Sequence, residues 1–170
     1  MNTWDDNEYP LTYLITFRTY GTWLHGDERD SVDLRGQNIY GAPRVHPNKQ
    51  LSRLMVENMK HPPFKLDGPQ RAAVEAAIRE VSEFKSYGLS AVNVRPNHVH
   101  SVVHANSKPE PVANALKAYA TRRLRIEGLV QAEQKIWSRG VSTRYLWQER
   151  SVELAIDYVL NGQGEDLPDF

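Results

Sequence analysis

The chain has 170 residues, enough for one domain with a sizeable core. Its 21 Lys and Arg balance 21 Asp and Glu, which excludes a blanket pull on nucleic acid and leaves any such contact to local basic clusters. With no cysteine there are no disulfides, thiolate nucleophiles or zinc-cysteine sites, and with no signal-type leader or run of about 18 apolar residues a cytoplasmic protein without a membrane partner is expected.

Leu11 to Tyr20 is rich in aromatic and branched residues and reads as a central strand, with Tyr13, Ile15 and Phe17 on one face and Leu14, Thr16 and Arg18 on the other. Turn signals then crowd an irregular insertion over about 21–66, where Trp23, Arg29, Arg35, Tyr40 and Arg44 could contact a nucleic acid, though solvated loop decoration is the commoner meaning of each. Inside it, Asn48 is placed to cap a short helix with Leu51, Leu54, Met55 and Met59 towards the core. Asp67-Gly68-Pro69-Gln70 has the form of a capping box, opening a helix whose Val74, Ala77, Ile78, Val81 and Phe84 keep helical spacing until Gly88.

Leu89 to Val94 reads as a second strand, and Arg95-Pro96-Asn97 turns it into a third, Asn97-His98-Val99-His100-Ser101-Val102-Val103-His104. Alternation puts His98 and His100 side by side about 7 Å apart, with Val99 and Val103 on the opposite, apolar face. Two imidazoles so placed can grip one cation, although His-x-His on a solvent face is also a common accident. His104 shares their parity but lies about 13 Å beyond His100, too far for the same ion.

Ser107-Lys108-Pro109-Glu110 resembles another capping box, followed by a stripe of Val112, Leu116, Ala120 and Leu124 and a stop at Gly128. Lys117, Thr121 and Arg125, with Arg122 and Arg123 beside them, make a basic ridge able to track phosphates, though a solvated face is the commoner meaning. Ser142 to Trp147 suits a further strand offering Arg144 to the polar face. Ser151 is placed to cap a last helix with Val152, Ala155, Ile156, Val159 and Leu160 as its packed stripe. Tyr158 falls about 120° from the centre of that stripe, so its hydroxyl is expected to project into a cleft. The order of elements fits a single α+β domain over 1–170, with a ferredoxin-like (RRM-like) antiparallel sheet, helices on one face, histidines on the open face and a C-terminal helix able to close over them.

Arg95-Pro96-Asn97-His98-Val99-His100 resembles the HUH motif of the single-tyrosine transposases, the insertion-sequence-200-like and REP-associated group. Gly21-Thr22-Trp23-Leu24, Leu116-Lys117-Ala118, Ala120-Thr121-Arg122, Ser142 to Trp147 and Tyr158 to Gly164 match in the same order. The resemblance implies a metal-dependent endonuclease and strand transferase acting on single-stranded or hairpin DNA. It gives His98 and His100 to a magnesium or manganese ion and makes Tyr158 the nucleophile, with a covalent 5′-phosphotyrosine as intermediate. It also implies an Asn or Gln ligand one turn after the tyrosine. Gly162 stands there, which points to Gln163 with Asn161 in reserve. Lys117, Arg122, Arg125 and Arg144 are the expected DNA contacts. Both a monomer and a homodimer whose tyrosine helix serves the partner's histidines fit the group.

Tyr119 is the competing nucleophile, but its helix comes early for the family pattern. Two other functions stand beside the main one. The first is a catalytically silent regulator that binds DNA or RNA hairpins. The second is a histidine-dependent phosphodiesterase, which is disfavoured because Val102 takes the place of a third alternating histidine and the chain lacks paired His-x-Ser/Thr motifs.

Overall fold

A computed structural model describes residues 11–22, 31–32, 44–45, 49–57 and 62–162. Its centre is a four-stranded antiparallel sheet made of β1 (Thr12–Arg18), β4 (Gly88–Val94), β5 (His98–His104) and β6 (Ser142–Tyr145), in the order β4-β5-β1-β6. β2 (Ser31–Val32) and β3 (Arg44–Val45) form a separate two-stranded ribbon within the insertion. The helices are α1 (Lys49–Glu57), α2 (Gly68–Phe84), α3 (Pro109–Ile126) and α4 (Glu149–Asn161).

β1 takes an inner position because its branched and aromatic side chains can be buried on both faces. Tyr13, Ile15 and Phe17 enter a large core, and Leu14 enters a smaller one on the reverse side. α2 and α3 cover the large core, with Val74, Ala77, Ile78 and Val81 from α2 and Val112, Leu116, Ala120 and Leu124 from α3 packed over Val99 and Val103 of β5. α4 lies on the other face, where Ala155, Tyr158 and Val159 meet Leu14, Ala91, Val102 and Leu146.

Several helix ends follow their expected chemistry. The Asp67 side chain accepts from the Gln70 backbone N–H at 2.9 Å, and the Gln70 side chain accepts from the Asp67 N–H at 2.9 Å, completing the capping box. Gly128 ends α3 at φ 67°, a conformation that suits glycine.

Other ends differ from expectation. Ser107 does not cap α3. Its carbonyl takes the Tyr13 hydroxyl at 2.9 Å, and the chain enters the helix one residue later, with Lys108 at the cap position and no side-chain bond there. α2 stops at Phe84 because Ser86 adopts φ 58° and reverses the chain. Gly88 instead opens β4, where a Cβ would stand 3.2 Å from the His104 Cβ across the strand pair. α4 begins two residues before Ser151, with Gln148 at its cap position. Leu54, expected on the core side of α1, is exposed, while Trp23, Arg29, Arg35, Tyr40, Asn48 and Met59 lie outside the described residues. Among the described residues no helix is long and apolar enough to cross a membrane.

Candidate active site

Antiparallel register decides which side chains share the face beneath α4. Arg18 pairs with His98, Thr16 with His100 and Leu14 with Val102 between β1 and β5. On the other side of β1, Arg144 of β6 stands opposite Leu14. Paired residues of adjacent strands project to the same side, so one patch collects His98, His100, Thr16, Arg18 and Arg144. Asn93 of β4, opposite His100, joins them and donates through its side-chain amide to the Val159 carbonyl of α4 at 3.0 Å.

The histidine rings are 4.6 Å apart, edge to face. Tyr158 reaches the same place from α4, its ring 5.4 Å from that of His100. The chain thus brings residues from a strand and a helix 58 positions apart into one cluster. Tyr158 is buried in the small core instead of projecting from the edge of the helix stripe, and Leu160 is the exposed residue. The helix has rolled so that Ala155, Tyr158 and Val159, spaced i, i+3 and i+4, face the sheet together. Gly162 lets the ring settle: a Cβ there would lie 3.1 Å from both Cα and Cδ2 of Tyr158.

His100 is buried, and its Nδ1 lies 2.6 Å from the Thr16 hydroxyl. Burial, then the neighbouring His98, Arg18 and Arg95, push its pKa down from the usual histidine value to about 3, so the ring is neutral at working pH. His98 Nδ1 lies 2.7 Å from the Asn97 side-chain oxygen. Two adjacent imidazoles, one held neutral by its surroundings and each engaged through Nδ1, suit a divalent cation as donors. Among the described residues no group of three His, Cys, Asp or Glu gathers, so any further ligand from this chain is of another type or lies elsewhere. Asn161 donates to Asp157 one turn back along the exposed side of α4, and Gln163 lies outside the described residues.

The basic residues divide between the two faces. Arg144 shares the histidine face by register. Lys117, Arg122 and Arg125 line an open groove of about 650 Å³ on α3, with the sheet and the large core between them and the histidines. Lys117 is also committed internally, donating to the carbonyls of Gly140 at 2.6 Å and Ser138 at 3.2 Å. Tyr119 is on this far layer too, packed near Phe84 with ring centroids 6.4 Å apart.

Sequence reasoning gave no role to five residues that the fold brings to the site, Asn93 of β4 among them. Thr16 and Arg18 were signalled by their parity on β1. Arg95 and Asn97 stood within the quoted motif but acquire their roles from the hairpin geometry.

A family model described as "Transposase IS200 like" matches residues 47–161, more than half the chain. One similar solved structure is a REP-associated tyrosine transposase bound to a REP hairpin, at 12% identity and TM-score 0.47, covering 87% of this chain and 63% of that one. The chain therefore spans under two thirds of that relative's length. Another is a candidate transposase from Deinococcus radiodurans R1 solved at 1.90 Å, at 16% identity and TM-score 0.47, covering 95% of this chain and 97% of that one. No curated protein matches the chain. The extent of the family match makes the chain a member of the IS200-like transposase family.

Proposed function

We propose that this transposase-family protein is a metal-dependent nuclease and strand transferase for single-stranded DNA beside a hairpin, with Tyr158 as nucleophile. The observation that carries the reading is the 5.4 Å approach of the Tyr158 ring to His100, itself 4.6 Å from His98. His98 and His100 would hold a magnesium or manganese ion, with Gln163 as third ligand and Asn161 in reserve. When bound, the ion supplies Lewis-acid polarisation of the phosphodiester and stabilises developing negative charge.

The chain's own groups account for the rest. The phenolic oxygen of Tyr158 loses its proton and bonds to phosphorus, and the bond from phosphorus to the 3′ oxygen breaks. The product is a 5′-phosphotyrosine, and the departing oxygen takes up a proton to become a free 3′ hydroxyl. A free tyrosine, with pKa near ~10, is a weak nucleophile at neutral pH, so its activation depends on cationic surroundings. Arg18 and Arg95, which already act on His100 electrostatically, add fixed positive charge for the scissile phosphate. Arg144 extends that charge along the same face, and Arg122 and Arg125 offer a second phosphate track on α3. Because Tyr158 lies beside histidines of its own chain, the reaction is read as running within one protomer in the cytoplasm, with a homodimer not required.

The test is a denaturing gel of labelled hairpin-bearing oligonucleotides from DNA flanking the gene, incubated with manganese. A covalent protein-DNA band is expected from the wild type and none from Tyr158→Phe, His98→Ala or chelator-treated protein. A band surviving in Tyr158→Phe would move the nucleophile elsewhere, with Tyr119 next to be examined. Mixing His98→Ala with Tyr158→Phe should give no band, and restored cleavage would mean the tyrosine acts on a partner's histidines. Tight hairpin binding without cleavage in any divalent metal would favour the silent regulator.

A further inference from the structure

Asn97 and Thr16 each face the Nδ1 atom of one site histidine, at 2.7 Å from His98 and 2.6 Å from His100. We infer that these two residues are positioning residues that fix both imidazoles with hydrogen on Nδ1 and a lone pair on Nε2, presenting a matched pair of donor nitrogens to the cation. The inference rests on the metal role proposed for His98 and His100.

The chemistry of the partners sets the tautomers. An amide oxygen only accepts, so the contact with Asn97 requires the hydrogen of His98 on Nδ1. A threonine hydroxyl can donate or accept, but it accepts from Nδ1 whenever Nε2 is to coordinate. A histidine that binds metal characteristically donates its other ring N–H to such an oxygen, which orients the ring and raises its basicity.

Both partners are themselves held. Thr16 is buried on β1 directly opposite His100 in the strand register, and its branched side chain has few rotamers. The Asn97 carbonyl accepts from the Thr19 backbone N–H at 3.0 Å, and the Thr19 and Thr22 hydroxyls lie 3.2 and 3.3 Å from it. Thr19 and Thr22 are both buried where the chain leaves β1. Thr19 and Thr22 therefore act on the site from a distance, by pinning the turn that aims Asn97 at His98.

The sheet also supplies its own control. Thr12 and His104 repeat the cross-strand pairing four residues along, with Thr12 Oγ1 3.1 Å from His104 Nδ1, but among the described residues no second imidazole neighbours that ring. If threonine opposite histidine were merely a good strand pair, the two threonines would be equivalent. The inference separates them.

The experiment combines long-range 1H–15N correlation of the histidine rings in metal-free protein with calorimetric titration of Mn²⁺ alone. In wild type, His98 and His100 should carry hydrogen on Nδ1. Thr16→Val and Asn97→Ala should each weaken Mn²⁺ binding by about 10- to 100-fold. Thr16→Ser, which restores the oxygen, should bind within about twofold of wild type, and Thr12→Val should be unchanged. Hydrogen on Nε2 of either ring, or wild-type Mn²⁺ affinity in Thr16→Val, would overturn the inference. If Thr16→Val fails to fold, the ring spectra of wild type and the Asn97→Ala titration still decide it. Wild-type protein that takes up no Mn²⁺ would overturn the metal reading itself, and with it the purpose given to both residues.

Discussion

The two faces of the central sheet are built from alternate residues of the same strands, yet they are constructed differently. Beneath α2 and α3, 21 buried apolar residues form the large core among the described residues, and beneath α4 only seven do. The first face carries most of the packing. The second spends its strand positions on His98, His100, Thr16, Arg18 and Asn93, and is covered by a helix that buries three side chains. Buried apolar area is the main favourable term in folding, so stability and the proposed chemistry fall on opposite sides of one sheet. A helix held by three buried side chains can detach locally without unfolding the domain.

The largest effect should come from the packed face. Phe17→Ala removes a ring that is almost fully buried and meets Trp137 edge to face at 4.9 Å. We expect a loss of about 3–5 kcal/mol in urea unfolding, enough to threaten folding altogether. A loss under about 1 kcal/mol would mean that the two faces contribute far more evenly than their packing implies.

Val159→Ala probes the other side. At ~0.8 kcal/mol per buried CH₂, truncating this buried α4 residue should cost about 1.5–2 kcal/mol, and chiefly as local detachment. Hydrogen exchange should quicken over 149–161 while the amides of α2 and α3 keep their protection. Uniform acceleration across all helices would make α4 part of the global folding unit and remove the proposed contrast.

Gly162→Ala sharpens the comparison at a single contact. Its φ of −95° is open to any residue, so the only obstacle is steric: the new Cβ would press on Cα, Cδ2 and the carbonyl of Tyr158 at 3.1–3.2 Å. Two of those three atoms are backbone and cannot swing away. We expect a stability loss of about 1 kcal/mol with shifted Tyr158 ring resonances and slower adduct formation. Unchanged resonances and rate would mean that Gly162 plays no part in seating the tyrosine.

These contrasts explain what could be read in the chain before its structure. The four strands of the central sheet, the α2 capping box and the Gly128 stop were legible because each depends on neighbours in sequence, whereas β2 and β3 fell in a stretch read as irregular. The histidine pair was legible because strand alternation fixes it within three residues. Thr16 facing His100 was not, since 84 residues separate them and only the register of β1 on β5 brings them together. The roll of α4 was missed for a related reason. Periodicity ranks Leu160 and Tyr158 by hydrophobicity alone, whereas in the fold the Tyr158 ring packs edge to face on His100, with Gly162 leaving room behind it. Lys117, Arg122 and Arg125 were grouped with Arg144 by charge, a property that does not reveal on which side of a sheet a residue will fall.

The smallest expected effect tests that last point through Lys117, whose ammonium is half-buried on the packed face under two carbonyls. Burial lowers its pKa from the usual 10.5 to about 8. Between pH 8 and 10.5 the unfolded chain then holds a proton that the folded chain has released, so this lysine makes stability rise with pH across that window. Its penalty is greatest below pH 8 and fades by 10.5. Lys117→Met removes the titration along with the two hydrogen bonds. The difference in urea stability, wild type minus variant, should therefore move in favour of wild type as pH rises from 8 to 10.5, with adduct formation at neutral pH retained because the sheet stands between Lys117 and Tyr158. A flat difference would show that the ammonium is not penalised by burial. Loss of the adduct from a still-folded variant would extend the phosphate track proposed for Arg122 and Arg125 to Lys117, and the division between a packed face and a reactive one would have to be redrawn.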